Sequence, residues 1–341
     1  MGSVNISKHT EALDAFALLT TLLRLDKATC RYGDGFRYRN AAFCTRFMAI
    51  CILLLLQLFT VPLSGSAQKE HGESLNDSSV LPTQTALAIS GHFKHFELDK
   101  LGNLFLLGTN GSQFTEYNKK GDSINHYDNI SSYGQITALD VSNPLKLAVY
   151  YRDYATIVVL DRFLSPVNTI DLRKAGIWEA QTIATSYDNQ YWVYDKQEAR
   201  IKKVNGQGKV TFASSDLRQV FDEGLDPVRL LDRDGLLYAY DPGYGWYIFD
   251  YYGALKQKIP VKGLHDVNVM NGILTARIQV AGKDSLWLMD PDQLASVPQQ
   301  EALPDVLSNV GAIRQSLFLG STGKLLLLTD AGLSTLFIGK R

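Results

Sequence analysis

Carboxylates recur near the entries of predicted strands, and they are the first side chains of this sequence that could do chemistry. Asp99, Asp140 and Asp232 each lie near such a strand entry. In a fold that repeats one unit around an axis, such carboxylates could converge and ligate Ca²⁺, which takes about six to eight oxygen ligands. Aspartate also accepts hydrogen bonds from the backbone of its own turn, which explains the same pattern without a metal. We expect turn capping and predict no metal ligand.

Histidine, cysteine and glycine form no pattern typical of catalysis or cofactor binding. His92 and His95 are three residues apart in a predicted strand, where they would face opposite sides. All three cysteines lie before residue 67, and the sequence has neither a GxxxxGK[ST] phosphate loop nor an HExxH zinc motif. We therefore predict no catalytic residue and no cofactor.

Aromatic residues give a stronger signal, in the run YAYDPGYGWYIFDYY from residue 238 to residue 252. Aspartate, proline and two glycines surround Tyr244, so turn chemistry places part of the run in a loop. Exposed tyrosine and tryptophan are typical of binding surfaces. We predict a partner-binding site formed by Tyr240, Tyr244, Trp246 and Tyr247. The alternative is that these aromatics are ordinary half-buried strand residues.

The elements that carry these residues repeat. A polar residue ends one strand of each unit, at Asn118, Asp161, Asn205, Asp250 and Asp290, with spacings of 43, 44, 45 and 40 residues. Every unit consists of short apolar segments separated by turn residues. A period of about 40–50 residues made of strands and turns is typical of a β-propeller.

Six second strands can be aligned, at residues 103–107, 146–150, 190–194, 236–240, 272–276 and 324–328. The last unit is one strand short, while Ala86–Ile89 is a spare strand ahead of the first unit. Pairing the two would close the ring and remove an exposed edge. We predict an all-β fold, a β-propeller of six four-stranded blades spanning residues 85–341 and closed by the N-terminal strand. Irregular spacing near residues 261–272 and 290–324 leaves five or seven blades as alternatives.

The N-terminal part reads as a targeting segment. Residues 47–61 form an apolar run that follows Arg37, Arg39 and Arg46 and precedes the small residues 64–67. This pattern indicates a secretory signal within residues 1–67, cleaved after Ala67, and a flexible linker over residues 68–84. An uncleaved anchor or a buried helix is the alternative, although the run is shorter than the roughly 20 residues that span a bilayer.

Composition favours an exported bacterial protein. The chain beyond residue 67 has no cysteine, which fits a bacterial envelope better than a eukaryotic secretory route. The formal net charge of −1 provides no basic field for nucleic acid. We expect a periplasmic or outer-membrane-associated protein that has an envelope protein partner and does not insert into the membrane once the signal is cleaved.

The unit from Ile136 to Arg173 resembles a group of exported Bacteroidetes envelope β-propellers with NHL- or WD40-like repeats. The likeness rests on Ala138-Leu139-Asp140, Asn143-Pro144-Leu145-Lys146 and Val159-Leu160-Asp161. It implies a scaffold role in outer-membrane assembly or secretion, and it implies no site residue.

We expect a non-catalytic protein-interaction scaffold. The alternatives are a propeller enzyme, such as a metal-assisted lactonase or lyase, and a glycan-binding module.

Overall fold

The computed structural model describes residues 86–128, 133–221, 224–293, 298–302 and 312–338. These residues form 24 strands in six antiparallel sheets, with two 3₁₀ turns at Arg152–Tyr154 and Leu172–Ala175 as their helical segments. No helix in these ranges is both long and apolar enough to cross a membrane. The predicted signal peptide and linker, residues 1–84, lie outside the described residues.

The six sheets are the blades of a propeller, each with four strands in adjacent order. The strand β1 (Ala86–Ser90) comes first in the chain and belongs to the sixth blade. The first blade contains β2 (Phe93–Leu98), β3 (Leu104–Gly108), β4 (Gln113–Tyr117) and β5 (Ser123–Asp128). The second contains β6 (Ala138–Asp140), β7 (Leu147–Tyr151), β8 (Thr156–Leu160) and β9 (Pro166–Asp171). The third contains β10 (Ala180–Thr185), β11 (Tyr191–Asp195), β12 (Arg200–Val204) and β13 (Val210–Ala213). The fourth contains β14 (Arg229–Arg233), β15 (Leu236–Asp241), β16 (Gly245–Phe249) and β17 (Leu255–Ile259). The fifth contains β18 (His265–Met270), β19 (Ile273–Val280), β20 (Lys283–Met289) and β21 (Gln299–Ala302). The sixth contains β22 (Gln315–Leu319), β23 (Lys324–Thr329) and β24 (Gly332–Phe337), together with β1. The prediction of six blades is confirmed.

The hydrophobic core lies between successive blades. The second and third strands are buried on both faces, as in β7 and β8, where every residue is buried. Continuous apolar segments result because each inner strand packs against two neighbouring blades. The fourth strands β5, β9 and β17 are largely exposed and carry more polar residues. Leu107 and Phe114 of the first blade, for example, pack in one cluster with Val149 and Val158 of the second.

The recurring Asn or Asp that revealed the repeat caps the turn between the third and fourth strands. Asn118 Oδ1 accepts hydrogen bonds from the backbone N–H groups of Lys120 and Asp122, at 2.8 and 3.0 Å. Asp161, Asn205 and Asp250 repeat this pattern with the residues two and four positions further on. Asp290 accepts from the backbone of Asp292. The period is therefore visible in the sequence because each turn needs the same local acceptor.

Closure of the ring is also confirmed. The strand β1 pairs antiparallel with β24, with Ile89 opposite Leu333 and Ser90 opposite Gly332. Gly332 has φ +132°, and a Cβ there would lie 2.2 Å from the Ile89 carbonyl oxygen. Gly245 opens the third strand of the fourth blade in the same way, with φ +119° and 2.2 Å to the Ile259 carbonyl oxygen. The strand β1 thus occupies in the sixth blade the position that β17 occupies in the fourth.

Candidate functional site

The first strands of the six blades surround the propeller axis. They line a channel cavity of about 260 Å³, to which every blade contributes at least one residue. The fold brings together here polar side chains that are far apart in the sequence. Any ligand that enters along the axis must therefore meet the side chains of the first strands.

A salt bridge spans this channel. Glu97 on β2 of the first blade accepts a hydrogen bond from Arg229 on β14 of the fourth blade, with Oε1 and Nη2 2.7 Å apart. His95 Nε2 lies 2.9 Å from the same carboxylate oxygen. Because blades one and four are opposite each other in a six-membered ring, this pair crosses the axis.

The charge state of Glu97 follows from these neighbours. Burial alone would raise the pKa of its carboxyl group, because a buried carboxylate loses hydration. The Arg229 charge, with hydrogen bonds from His95 and Arg229, outweighs burial and lowers the pKa to about 2. Glu97 is therefore ionised near neutral pH, and a carboxylate of such low pKa is a weak base.

The aspartates at the ends of the first strands hold turns and blades together. Asp99 caps its own turn by accepting from the Asn103 backbone N–H at 2.7 Å. Asp140 accepts from the Thr185 backbone in the next blade at 2.6 Å. Asp232 accepts from the Trp192 indole at 2.8 Å. In the ranges that the structure describes, no group of three or more His, Cys, Asp or Glu residues could hold a metal ion.

One side of the ring carries all the turns from first to second and from third to fourth strands. We call it the turn face; its first-to-second turns are residues 99–103, 141–146, 186–190, 234–235, 271–272 and 320–323. Around the axis this face opens into a pocket of about 600 Å³. The pocket shares Ser142, Arg233 and Asn268 with the channel cavity, so it forms the mouth of the channel.

An aromatic corner borders this mouth. The Tyr187 and Tyr251 rings stack with centroids 4.9 Å apart and an interplanar angle of 11°. The Lys203 ammonium lies 5.0 Å from the Tyr187 ring centroid and 2.7 Å from an Asp188 carboxylate oxygen. Tyr251 donates to Asp232 at 2.5 Å, and burial, together with this hydrogen bond, raises the pKa of its hydroxyl. These contacts fix the corner while Tyr187 remains 71% exposed.

Large apolar side chains on the turn face extend outward from the mouth over four consecutive blades. They lie in turns, are between 58% and 89% exposed, and comprise Leu101, Leu145, Phe163, Tyr187 and Tyr252. We call these five residues the apolar arc. Turn positions usually carry small polar residues, and none of the arc side chains is buried in the hydrophobic core.

The structure corrects the predicted aromatic site. Trp246 and Tyr247 are fully buried in β16, and Tyr240 is 1% exposed in β15. Proline and glycine do mark a turn here, but the turn covers only residues 242–244. The third strand of the blade already begins at Gly245. The expectation that these three aromatics are exposed is therefore wrong, and they offer a partner no surface. Tyr244, within the turn, is half-buried beneath the Lys258 and Lys262 ammonium groups.

Sequence reasoning missed the apolar arc, although a signal for it existed. Phe163 and Tyr252 each lie two residues after the capping Asp161 or Asp250, in the middle of a tight turn. Leu145 occupies the equivalent position after Asn143. A large apolar residue two positions after a capping Asn or Asp therefore predicts an exposed side chain, because the turn geometry directs it into solvent.

No protein-family model and no curated protein matches this chain. The solved structures do contain similar folds. A putative exported protein from Bacteroides fragilis superposes with a TM-score of 0.52 at 9% identity, over 79% of this chain and 98% of that one. The β-propeller domain of Cps50 (Swd1) from Myceliophthora thermophila has a TM-score of 0.50 at 9% identity, over 76% of this chain and 100% of that one.

A third similar structure is an enzyme. A catalytically inactive virginiamycin B lyase from Staphylococcus aureus, crystallised with quinupristin, has a TM-score of 0.50 at 12% identity, over 72% of this chain and 80% of that one. At such identities these likenesses show the propeller fold alone. The fold accommodates both a lyase and a Swd1 domain, so function must be argued from this chain's own surface.

Proposed function

We propose that this protein is a non-catalytic interaction scaffold of the bacterial cell envelope that binds a protein partner through the turn face. The observation that carries the proposal is the apolar arc. Exposed aromatic and aliphatic side chains that do not serve the fold are typical of protein-binding surfaces. Four consecutive blades contribute to the arc, so it is broad enough to contact a folded partner.

The channel supports a non-catalytic role. Its central carboxylate, Glu97, is tied to Arg229 and stays ionised at neutral pH. An enzyme needs a proton-transferring or nucleophilic group that is free to act on a substrate. In this channel, the Glu97 and Arg229 side chains at the axis instead bond to each other.

The proposed location rests on the sequence. The apolar run at residues 47–61, followed by small residues, has the pattern of an export signal. The putative exported protein from Bacteroides fragilis shares the fold. We expect N-terminal sequencing of the protein from its native host to begin near Gln68, in a periplasmic or outer-membrane fraction. A cytosolic chain that begins at Met1 would contradict the envelope assignment.

The binding face is tested by quantitative affinity capture from chemically crosslinked native envelope. The bait is wild type, the turn-face variant Leu101→Ser/Leu145→Ser/Tyr252→Ser, or the control Tyr154→Ser/Trp178→Ser. The control residues are exposed on the opposite side of the ring. All three baits should unfold at similar temperatures, because surface substitutions usually change stability by less than about 0.5 kcal/mol each.

We expect the turn-face variant to lose one or more specific partners by about tenfold or more, while the control retains them. Loss in the control alone would move the interface to the opposite face. Equal recovery by all three baits would contradict the proposal for the apolar arc.

A further inference from the structure

The mouth of the channel has the features of a small-molecule site that shares only Tyr187 with the apolar arc. Its volume of about 600 Å³ lies within the roughly 300–1,000 Å³ typical of ligand pockets. The first strands or first turns of all six blades build its wall, so the site exists only in the closed ring. What it could bind follows from which of its polar groups are already engaged.

The carboxylates of this pocket are engaged by the protein itself. Asp99 caps its own turn, and Asp234 accepts from the Gly272 backbone at 3.1 Å. Both carboxylate oxygens of Asp232 accept hydrogen bonds, Oδ1 from Tyr251 and Oδ2 from Trp192. Asp232 therefore has no carboxylate oxygen left over, and Asp99 and Asp234 each have one oxygen bonded to the backbone.

Several donors and hydroxyls of the same pocket have capacity left over. Thr185 is only 5% exposed, and its Oγ1 has no hydrogen-bond partner among the described residues. Arg233 donates only from Nη1, to the Asp232 carbonyl at 2.8 Å, and pairs with no carboxylate in the described part of the chain. The amide nitrogen of Asn268 likewise makes no bond to a described residue, because only its Oδ1 is used, by the Val269 backbone.

An unpartnered buried hydroxyl is uncommon in folded proteins, where most buried polar groups find a partner. A half-buried guanidinium with one neutral acceptor also has most of its five N–H donors free. The free groups at this mouth include the Thr185 hydroxyl, the Asn268 amide and the Arg233 guanidinium. A ligand that matches them must present several oxygen atoms that can accept and donate hydrogen bonds.

The rim adds an apolar surface. Tyr187 stands beside the pocket with its ring held by Tyr251 and largely exposed. A pyranose has this dual character, with a C–H face that packs on an aromatic ring and hydroxyl groups around its edge. We propose that the channel mouth binds a saccharide, with one sugar ring against Tyr187 and its hydroxyls bonded to Thr185, Arg233 and Asn268.

The test measures saccharide binding by the full mature chain. The probes are a printed array of neutral and acidic oligosaccharides and, in solution, mannose, galactose, N-acetylglucosamine and glucuronic acid followed by saturation-transfer NMR. The variants are Tyr187→Ala, Arg233→Gln and Thr185→Val. Tyr252→Ala is the matched control, because Tyr252 is an exposed turn-face aromatic that does not line the pocket.

We expect at least one saccharide to bind, and its dissociation constant to rise about tenfold or more in Tyr187→Ala and Arg233→Gln but not in Tyr252→Ala. Thr185→Val should weaken binding without lowering the unfolding temperature, because it removes a hydroxyl that has no partner in the free protein. No binding to any probe, or equal weakening by Tyr252→Ala, would overturn the proposal. Equal competition by sodium acetate would show a carboxylate site instead and would also overturn it.

This test is separate from that of the scaffold proposal. Leu101, Leu145 and Tyr252, whose substitution tests the partner, do not line the pocket of the mouth. A chain that loses its protein partner on substitution of the apolar arc and still binds sugar would support both proposals. A chain that does only one of the two would support that one alone.

Discussion

Glu97 and Arg229 are 132 residues apart in the chain, lie on opposite blades, and meet 2.7 Å apart across the propeller axis. Most contacts in a propeller join neighbouring strands or neighbouring blades. This pair instead links the first and fourth blades directly, so it opposes separation of the two halves of the ring. Its energetic role depends on burial, because an ion pair removed from water is costly to break on one side only.

Arg229→Met should destabilise the fold strongly. The substitution leaves the Glu97 carboxylate, which is 13% exposed in the channel, without its cation, and the cost should lie at or below the lower end of the roughly 3–5 kcal/mol typical of a broken buried pair. The double variant Glu97→Gln/Arg229→Met should recover much of this loss, because no uncompensated charge remains. Urea denaturation of the three proteins at neutral pH measures the difference. A loss below about 0.5 kcal/mol in Arg229→Met, the range of an ordinary surface substitution, would show that the bridge does not stabilise the ring.

The same pair predicts a pH dependence. The folded-state pKa of Glu97 is lowered from 4.5 to about 2, so its ionised form stabilises the fold fully above about pH 4.5. That contribution is lost as the pH falls through about 2. We expect the difference in urea midpoint between wild type and Glu97→Gln to be constant at neutral pH and to shrink over this acidic interval. A difference that does not change with pH would contradict the assignment.

The parts of the fold that depend on local chemistry could be predicted from the sequence. Asn118 and Asp161 repeat because each third-to-fourth turn needs its own acceptor, and that need is satisfied within four residues. Closure by β1 also follows from counting, since the last blade lacks one strand and the chain before the first blade has one to spare.

The candidate site could not be predicted in the same way. Thr185, Arg233 and Asn268, which have hydrogen-bonding groups without a partner, come from three different blades. They line one pocket only when the ring closes. The error over Trp246 had a different cause. Proline and glycine indicate that a turn is present, but they do not show how soon the next strand begins.

The closing strand gives a third prediction. A chain that begins at Gly91 lacks β1 and exposes the edge of β24, whereas a chain that begins at Gln68 retains it. We expect the shorter chain to unfold at a lower temperature and to form dimers or aggregates, because an unpaired edge recruits other strands. It also loses Ile89, which is buried against Leu328 and Leu333. Light scattering and thermal unfolding compare the two, and a stable monomer that begins at Gly91 would contradict closure by β1.

Substitution of Trp246 decides between a core role and a binding role for this residue. Its indole is fully buried, with the Tyr240 ring centroid 5.1 Å away and the Tyr238 ring edge-on at 6.4 Å. Trp246→Ala should therefore cost about 3–5 kcal/mol in unfolding free energy, as large-to-small substitutions of buried aromatics do. Trp246→Phe should cost less, because the indole Nε1 has no hydrogen-bond partner among the described residues that would be lost. Tyr252→Ala, which removes an exposed aromatic from the neighbouring turn, should stay within about 0.5 kcal/mol of wild type. Urea denaturation of the three variants is the measurement, and a Trp246→Ala protein as stable as wild type would restore the exposed-loop interpretation.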